Sequence, residues 1–225
     1  MNTLALDTSS NALVLGLQTG ETRFDRFDIV DRSHSREILP AIYQLLADAD
    51  LTIAELDLIV YGQGPGSFTG LRIAVGVVQG LAYGLNIPVV PVSTLACLAQ
   101  AEYREFGDQK IVVALTARKQ EVYFGMYEVD AGIARAVCDE TVIDVDDLRP
   151  VTSDGWVGVG SGWNLKEKLE ASLGTSIRNV RMEVWPRSVD LLDLGLARFS
   201  QGGIIPANEA TPEYLREQVA QRANR

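Results

Sequence analysis

The sequence is poor in the residues that most often hold metal ions or cross-link small folds. Its 225 residues include one histidine, His34, and two cysteines, Cys97 and Cys138. A single imidazole cannot build a metal site by itself. The cysteines lie 41 positions apart in unrelated contexts, which fits no zinc spacing and argues against a disulfide-stapled secreted scaffold. We therefore expect no metal site and no cofactor.

Basic residues are also scarce. Lysine and arginine together number 20 against 30 acidic residues, so the net charge is −10. Such a surface repels phosphate backbones, and the chain alone is not expected to be a general nucleic-acid binder. Three arginines fall in the last ten residues, at Arg216, Arg222 and Arg225. Such a run is more typical of a solvated tail than of a local binding patch.

Long apolar runs and targeting segments are missing as well. The longest stretch without a charged residue, 73–101, is broken by glycines and by Pro88 and Pro91, which does not suit a membrane span. The N-terminus, MNTLALDTSS, lacks a basic region and carries Asp7, so it does not resemble a signal peptide. We expect a cytoplasmic protein with no membrane association.

The apolar pattern that is present has two similar halves. The first predicts three strands, a helix, and then alternating strands and helices, at 4–6, 12–17, 23–30, 38–46, 56–61, 71–85, 89–92 and 94–105. After a break at 106–108 the pattern starts again, with strands at 111–115, 122–129 and 157–159 and helices at 164–173, 189–199 and 212–223.

This pattern predicts an α/β protein with duplicated βββαβα halves. Among such folds the actin-like (ASKHA, ribonuclease-H-like) two-lobed architecture fits best. A doubly wound dinucleotide fold is the competitor, but it would not open with a three-stranded meander. We expect an N-terminal lobe at 1–106 that carries the partner interface. A C-terminal lobe would follow at 107–225, with its terminal helix able to pack back on the first lobe.

The most conspicuous motif is the glycine-rich stretch GQGPGSFTGLR at 62–72, which follows a predicted strand and opens a helix. Glycines free the backbone to approach a ligand, and N–H groups at a helix start favour an anion. No Lys-Ser or Lys-Thr follows the last glycine, so this is not a P-loop. Phosphate binding and a tight, capped strand-to-helix connection are both open. The candidate anion-binding residues are Asp7, Gly64, Gly66, Ser67 and Thr69.

Other polar positions point more weakly to chemistry. Asp7 follows the first strand, where a carboxylate can face phosphates and magnesium in actin-like ATPases, but Asp before Thr-Ser is also a good turn former. The second half has Thr116 at the corresponding place, which favours the turn. His34 precedes a helix, and Ser-His-Ser there suggests capping with the imidazole exposed. No Gly-x-Ser-x-Gly elbow is present, so a hydrolase triad is unsupported.

The predicted helix at 71–85 is unusual because it is apolar on every side. Arg72 is its only charged residue, and Gly76, Gly80 and Gly84 repeat every four positions to form one smooth face. Interior glycines cost a helix roughly 0.8–1 kcal/mol each against alanine, so close packing is expected to offset that loss. A second protein chain could cover this helix. A central helix covered wholly by its own domain is the alternative.

Several motifs together resemble the TsaB (YeaZ) family. They are LALDTS at 4–9, His34-Ser35 with the following helix, GPGSFTGLR at 64–72, Ala117-Arg118 with EVY at 121–123, and Pro212 with YLR at 214–216. They occur in order across essentially the whole chain, and GPGSFTGLR is the most specific of them.

The resemblance implies a non-catalytic subunit that is required for transfer of the threonylcarbamoyl group to adenosine 37 of tRNAs reading codons that begin with A. It implies binding to the catalytic paralogue TsaD, together with the ATPase TsaE. The chain alone would form a homodimer and would meet tRNA only through the complex. It also implies that helices of the N-terminal lobe form the interface. The candidate interface residues are Ile38, Ile42, Leu45, Leu71, Val75, Gly76, Val78, Gly80 and Tyr83.

Two departures from the wider family bear on chemistry. The paralogue carries two metal-binding histidines four apart, and the nearest matching positions here are Ser93 and Cys97, which supply no imidazole. Many family members have Asp where this chain has Thr116, so any role of that carboxylate is in doubt here. The alternative hypothesis is an actin-fold enzyme, either a peptidase or an ATP-dependent phosphotransferase, motivated by Asp7 and the glycine-rich stretch.

Overall fold

The computed structural model describes residues 1–30 and 33–215, which form two compact units. The first unit comprises residues 1–97 and 185–213. The second comprises residues 98–184 and, of the described C-terminal residues, 214 and 215.

The first half of the chain builds a five-stranded sheet with helices between its strands. Its elements are β1 (Asn2–Asp7), β2 (Ala12–Thr19), β3 (Thr22–Ile29), α1 (His34–Asp48), β4 (Leu58–Gly64), α2 (Phe68–Leu85), β5 (Val89–Ser93) and α3 (Thr94–Phe106). The sheet order is β3-β2-β1-β4-β5; β3, β2 and β1 are antiparallel, and β1, β4 and β5 are parallel. The predicted meander and βαβ crossover are both present.

The second half repeats this layout. Its elements are β6 (Lys110–Arg118), β7 (Glu121–Asp130), β8 (Ile133–Ala136), β9 (Thr141–Asp144), β10 (Val157–Val159), α4 (Lys166–Leu173), β11 (Val180–Arg181) and α5 (Ser188–Ser200). The sheet order β8-β7-β6-β10-β11 matches that of the first sheet, with β9 added beside β7. This duplicated arrangement confirms the predicted actin-like α/β fold class.

The division into units differs from the predicted boundary at residue 106, because the first stretch of the first unit ends at residue 97 and the segment 185–213 returns to that unit. There, Ile205 forms an isolated bridge with Val89, and each residue donates a backbone hydrogen bond to the other, at 2.9 and 3.0 Å. Helix α5 packs on the same sheet, where Gly195 lies directly over Val60. Hydrogen bonds between residues so distant in sequence leave no local signal.

The ends of two predicted helices differ from expectation. The helix predicted from residue 164 begins at Lys166, because Ser161–Leu165 form a 3₁₀ segment before it. Residues 212–214 are not helical, whereas residues 216–223 of the predicted C-terminal helix, and with them the three terminal arginines, lie outside the described residues.

Helix α2 is the one described helix that is long and apolar enough to cross a membrane, with a mean hydropathy of 1.3. Length and composition alone do not make it a membrane span, since core helices of soluble proteins pass the same test. Here it is the crossover between the adjacent parallel strands β4 and β5. However, only 33% of its residues are buried, which is low for so apolar a helix.

The contact between α5 and the first sheet yields a stability prediction. A Cβ on Gly195 would lie 2.4 Å from Val60 Cγ1 and would overlap the Val60 side chain, which is fully buried. We expect Gly195→Ala to lower the free energy of unfolding by about 1–3 kcal/mol through overpacking, measured by urea denaturation. Gly84→Ala in α2 is the matched control, since nothing lies within 4 Å of its Cβ position. Equal effects at the two glycines would contradict this packing.

Candidate functional site

The end of β1 and the glycine-rich stretch form one tightly packed structure. Ser67 N donates to Ser9 O at 2.6 Å, and Thr8 Oγ1 donates to Gly70 O at 2.7 Å. A Cβ on Gly66 would lie 2.4 Å from Ser9 O, and one on Gly70 would lie 1.8 Å from Thr8 O. These glycines are therefore required by the chain's own backbone, which occupies the space that side chains would need.

Asp7 is entirely buried at the centre of this structure. Its Oδ1 accepts hydrogen bonds from the Ser9 amide at 2.9 Å and from Ser9 Oγ at 2.8 Å. Its Oδ2 has no hydrogen-bond partner among the described residues, and a Cβ on Gly62 would lie 1.7 Å from it. One oxygen of Asp7 thus forms an Asx-type turn, while the other lies against a glycine backbone.

Burial raises the pKa of Asp7 above its ordinary value, because a carboxylate loses its hydration inside the protein. The hydrogen bonds from Ser9 and, to a smaller extent, the nearby imidazole of His34 act in the opposite direction and lower this pKa, but burial outweighs them. The Asp7 carboxyl group is therefore fixed by its hydrogen bonds with Ser9, and it is not exposed to solvent.

His34 contradicts the expectation that its imidazole is exposed. The residue is buried, at 7% exposure, and Nε2 lies 3.3 Å from Ala12 O. It begins α1, whose flanking residue Ser33 makes no side-chain capping hydrogen bond. The imidazole instead packs beneath the start of α1, beside β2, which local sequence could not show.

The predicted anion-binding residues do not share one exposed surface. Gly64, with φ +110°, is buried, and a Cβ there would lie 2.9 Å from Leu71 Cδ1. Gly66 is half-buried, whereas Ser67 and Thr69 are exposed at the start of α2. Ser67 caps that helix by accepting a hydrogen bond from Gly70 N at 3.3 Å. Anion binding at this loop stays a prediction. The observed contacts form a tight, capped connection between β4 and α2, which was the alternative interpretation of the glycine-rich stretch.

Ser93 and Cys97, at the positions that match the paralogue's metal-binding histidines, make structural contacts within the first unit. Ser93 Oγ accepts hydrogen bonds from the amides of Leu95 and Ala96 at 3.1 and 3.3 Å, which caps α3. Cys97 is buried, and its Sγ lies 3.7 Å from Arg187 O. Within residues 1–30 and 33–215, no three His, Cys, Asp or Glu side chains come close enough together to hold a metal ion.

A second candidate site is the outer surface of α1 and α2. Between the two helices lies a groove of about 410 Å³, lined by Ser35, Ile38, Leu39, Arg72, Ile73, Gly76, Val77, Gly80 and Leu81. Its walls are almost wholly aliphatic, and Arg72 lies at one end with its guanidinium 3.5 Å from the ring centre of Phe68. We call this groove and the exposed residues beside it the α1–α2 face.

The predicted interface residues divide into two groups on this face. Six have their side chains in the interior of their own unit, at 7% exposure or less: Ile38, Ile42, Leu45, Leu71, Val75 and Val78. Three are exposed: Gly76, Gly80 and Tyr83. The helical stripe seen in the sequence is thus largely the stripe that packs on the sheet, and the exposed face lies beside it.

Sequence reasoning included Tyr83, which is 80% exposed, but missed three other large apolar side chains on the outer side of the face. Leu39, Tyr43 and Phe68 are 41%, 56% and 56% exposed. The signal was available, because Leu39 and Tyr43 are four residues apart and form a second stripe beside the buried one. On α2, nothing lies within 4 Å of the Cβ positions of Gly76, Gly80 and Gly84.

Comparison with known proteins identifies the family. Residues 28–161 match the family model of TsaD, tRNA N6-adenosine threonylcarbamoyltransferase. The tRNA threonylcarbamoyladenosine biosynthesis protein TsaB of Escherichia coli K12 is 34% identical to this chain, over 98% of this chain and 96% of its own. The protein of the same name from Bacillus subtilis 168 is 33% identical, over 96% and 94%.

Solved structures agree with this result. A crystal structure from Pseudomonas aeruginosa, described as an uncharacterized protein with similarity to peptidase YEAZ, has a TM-score of 0.90 and 36% identity. The match covers 96% of this chain and 99% of that one. A second structure, YeaZ from Pseudomonas aeruginosa, has a TM-score of 0.88 and 35% identity, over 95% and 99%. Sequence and structure therefore agree over nearly the full length, and this chain belongs to the TsaB (YeaZ) family.

Proposed function

We propose that this chain acts in the biosynthesis of threonylcarbamoyladenosine on tRNA, as a subunit that binds and supports the catalytic paralogue TsaD without itself performing the transfer. The ATPase TsaE would join the assembly, and the chain would meet tRNA only through it, in the cytoplasm. The relatives' names support the pathway. The observation that carries the subunit role is the exposed, apolar, glycine-bearing α1–α2 face.

The glycines of α2 are the strongest argument for an occupant of that face. Each interior glycine lowers helix stability by roughly 0.8–1 kcal/mol relative to alanine. At Gly62, Gly66 and Gly70 the reason for glycine is a close approach by the chain's own atoms. At Gly76 and Gly80 no described atom lies within 4 Å of the Cβ position. A partner backbone that packs closely against α2 would explain these glycines, because it would leave no room for a side chain at either position.

The remaining sides of α2 are already covered, which leaves a single docking direction. Ala74 and Val78 are buried in the core together with Ile59 and Tyr61 of β4. On another side, Gln79 Nε2 donates to Ala210 O at 2.8 Å, so the 207–210 segment lies there. The exposed aromatic residue Tyr83 flanks the open side. Exposed aromatic side chains beside an apolar groove are typical of the central contacts of protein interfaces.

The packing between the end of β1 and the glycine-rich stretch supports a role in which this chain performs no catalysis by itself. Phosphoryl transfer in actin-like enzymes needs a carboxylate that can meet magnesium. Here Asp7 Oδ1 already accepts two hydrogen bonds from Ser9, and its Oδ2 lies against Gly62. A ligand could reach this carboxylate only if the loop moved away from β1.

A homodimer through the same α1–α2 face is proposed for the chain when TsaD is absent. An isologous pair of these faces would cover Leu39, Tyr43 and Tyr83 on both copies. Binding of TsaD would then compete with self-association, because both partners use one surface.

The pathway role is tested by depletion in the source organism. Without this chain, we expect the threonylcarbamoyladenosine content of bulk tRNA to fall sharply, measured by mass spectrometry of digested nucleosides. Re-expression of the wild-type chain should restore the modification, and a Gly80→Asp chain that folds normally should not. An unchanged nucleoside content after depletion would refute the proposed pathway.

The interface is tested by substitutions that separate folding from binding. We expect Gly76→Ala and Gly80→Ala to raise the free energy of unfolding of the isolated chain by about 0.5–1 kcal/mol. The same changes should weaken TsaD binding at least tenfold, measured by calorimetry, because each methyl group occupies the floor of the groove. The charged variant is placed at Gly80, since Val78 is fully buried and a charge there would disrupt the core.

Gly84→Ala is the matched control for this test. It makes the same change on the same helix, in open space, but Gly84 does not line the groove. We expect it to leave TsaD affinity within about twofold, since surface changes away from the contact act weakly. Wild-type affinity in both Gly80→Ala and Gly80→Asp would exclude the groove as the docking site.

The enzyme alternative makes an opposite prediction for nucleotide binding. Because Asp7 is enclosed by Ser9 and Gly62, we expect calorimetry of the isolated chain with ATP and magnesium to show no micromolar binding. Asp7→Asn should therefore give the same trace as the wild type. Micromolar binding that is lost in Asp7→Asn would establish a nucleotide site and favour the phosphotransferase.

A further inference from the structure

A cluster of charged side chains joins the end of α3 to β11 in the second unit. Glu102 lies on α3 with its side chain only 1% exposed, and its Oε1 accepts a hydrogen bond from Arg181 Nη1 of β11. Arg181 Nη1 also lies 3.7 Å from Asp108 Oδ2, and its guanidinium is 3.5 Å from the ring centre of Phe106. The cluster therefore fastens a two-residue edge strand to a helix that precedes it by some 75 residues in sequence order.

The charges of this cluster balance only if one proton is retained. Facing Glu102 are Arg181 from β11, Asp108 from the turn after α3, and Glu105 from its own helix. Arg178 lies farther out, with Nη2 3.0 Å from Asp108 Oδ1 and a side chain that is 58% exposed. Arg181 Nη1 contacts the carboxyl groups of both Glu102 and Asp108, so one guanidinium faces two acids, and a retained proton relieves their like-charge repulsion.

The protonation of Glu102 follows from its surroundings. The pKa of this carboxyl group is raised to about 7, chiefly by burial and to a smaller extent by the nearby Asp108 and Glu105, while the charge of Arg181 acts to lower it. Removing the proton leaves adjacent carboxylates in a buried place beside one enclosed guanidinium. Such a site disfavours its charged form through both lost hydration and like-charge repulsion.

Arg181 also holds the turn that follows β10. Its backbone carbonyl accepts a hydrogen bond from Gly160 N at 2.8 Å. Beyond Gly160, Ser161 Oγ accepts a hydrogen bond from the Thr116 amide at 3.1 Å. The main chain of β11 therefore supports the Gly160 turn, while the side chain of Arg181 holds β11 to α3.

We propose that the Glu102–Asp108–Arg181 cluster is a proton-operated latch that fastens β11 and the Gly160 turn when Glu102 is neutral and releases them when Glu102 ionises. This inference is independent of the proposed function. The protonated carboxyl group of Glu102 donates to Asp108, and Arg181 balances the remaining charge. Loss of the proton sets two carboxylates against each other and favours separation of β11 from α3.

The direction of the pH dependence follows from linkage. In the open form Glu102 is solvated and its pKa returns toward the ordinary value of 4.5, whereas in the closed form its pKa is about 7. The stability that this group gives the latch is therefore complete below pH 4.5 and is lost as the pH rises through about 7. Between pH 6 and pH 8 the open population should grow roughly tenfold.

Amide hydrogen exchange of the full chain tests the latch. Peptides covering residues 157–163 and 178–183 are followed by mass spectrometry at pH 6, 7 and 8, with correction for the intrinsic exchange rates. We expect exchange in both segments to be roughly tenfold faster at pH 8 than at pH 6 after this correction, if opening limits it. Glu102→Gln, a neutral isostere of the protonated group, should keep both segments as protected at pH 8 as at pH 6.

Control variants decide between the latch and a general effect of pH. Glu128→Gln alters a half-exposed carboxylate of the same unit, 3.8 Å from Lys110, and should retain the full pH dependence. Asp108→Asn removes the like charge beside Glu102 and should move the transition to lower pH. If Glu102→Gln fails to fold, the direction of the shift in Asp108→Asn decides. A wild-type profile without pH dependence, or an unchanged profile in Glu102→Gln or Asp108→Asn, overturns the proposal.

Discussion

The close approach between the end of β1 and the glycine-rich loop is the contact on which the first unit depends. Carbonyl oxygens of Thr8 and Ser9 lie where Gly70 and Gly66 would carry a Cβ, so neither position accepts a side chain without movement. Hydrogen bonds from Ser67 N and Thr8 Oγ1 close the same contact. Because the loop leads directly into α2, this contact fixes where the helix begins and which side it turns to the sheet. The exposed α1–α2 face is a consequence of that placement.

The same contact determines what Asp7 can do. A carboxylate at the end of the first strand has the right place in the fold to meet a ligand. Here the loop approaches so closely that the carboxyl group lies entirely in the interior, with an elevated pKa. An elevated pKa can mark a functional group, but burial raises this one, and the Asp7 carboxyl group lies against Ser9 and Gly62, so packing explains the shift. Asp7 is therefore explained as a structural carboxyl group, which suits the proposed role of the chain as a subunit that contributes a surface to an assembly.

Much of the fold could be predicted because its signals are local. Strands at residues 4–6 and 12–17 and the helix at 71–85 follow from apolar periodicity, and the repeated order of elements predicts the duplication. The position of segment 185–213 could not be predicted, because the Val89–Ile205 bridge joins residues that share no local pattern. The sequence also predicts the apolar helix α2, but because that helix is apolar on every side, its pattern does not indicate which side faces the sheet. For that reason Val78 and Gly80 were grouped together, although one is fully buried and the other is exposed.

The two halves of the chain provide an internal comparison that bears on the glycine-rich loop. In the second unit a Cβ on Gly160 would lie 2.5 Å from Ala114 O, and one on Gly162 would lie 2.9 Å from the same peptide group. Glycines thus pack tightly against a strand there too, although β6 carries no carboxylate. A close strand-to-loop contact is therefore sufficient to explain glycine at such positions, with or without a bound phosphate. Gly76 and Gly80 have no such internal explanation among the described residues, and this difference makes the outer side of α2 the better guide to function.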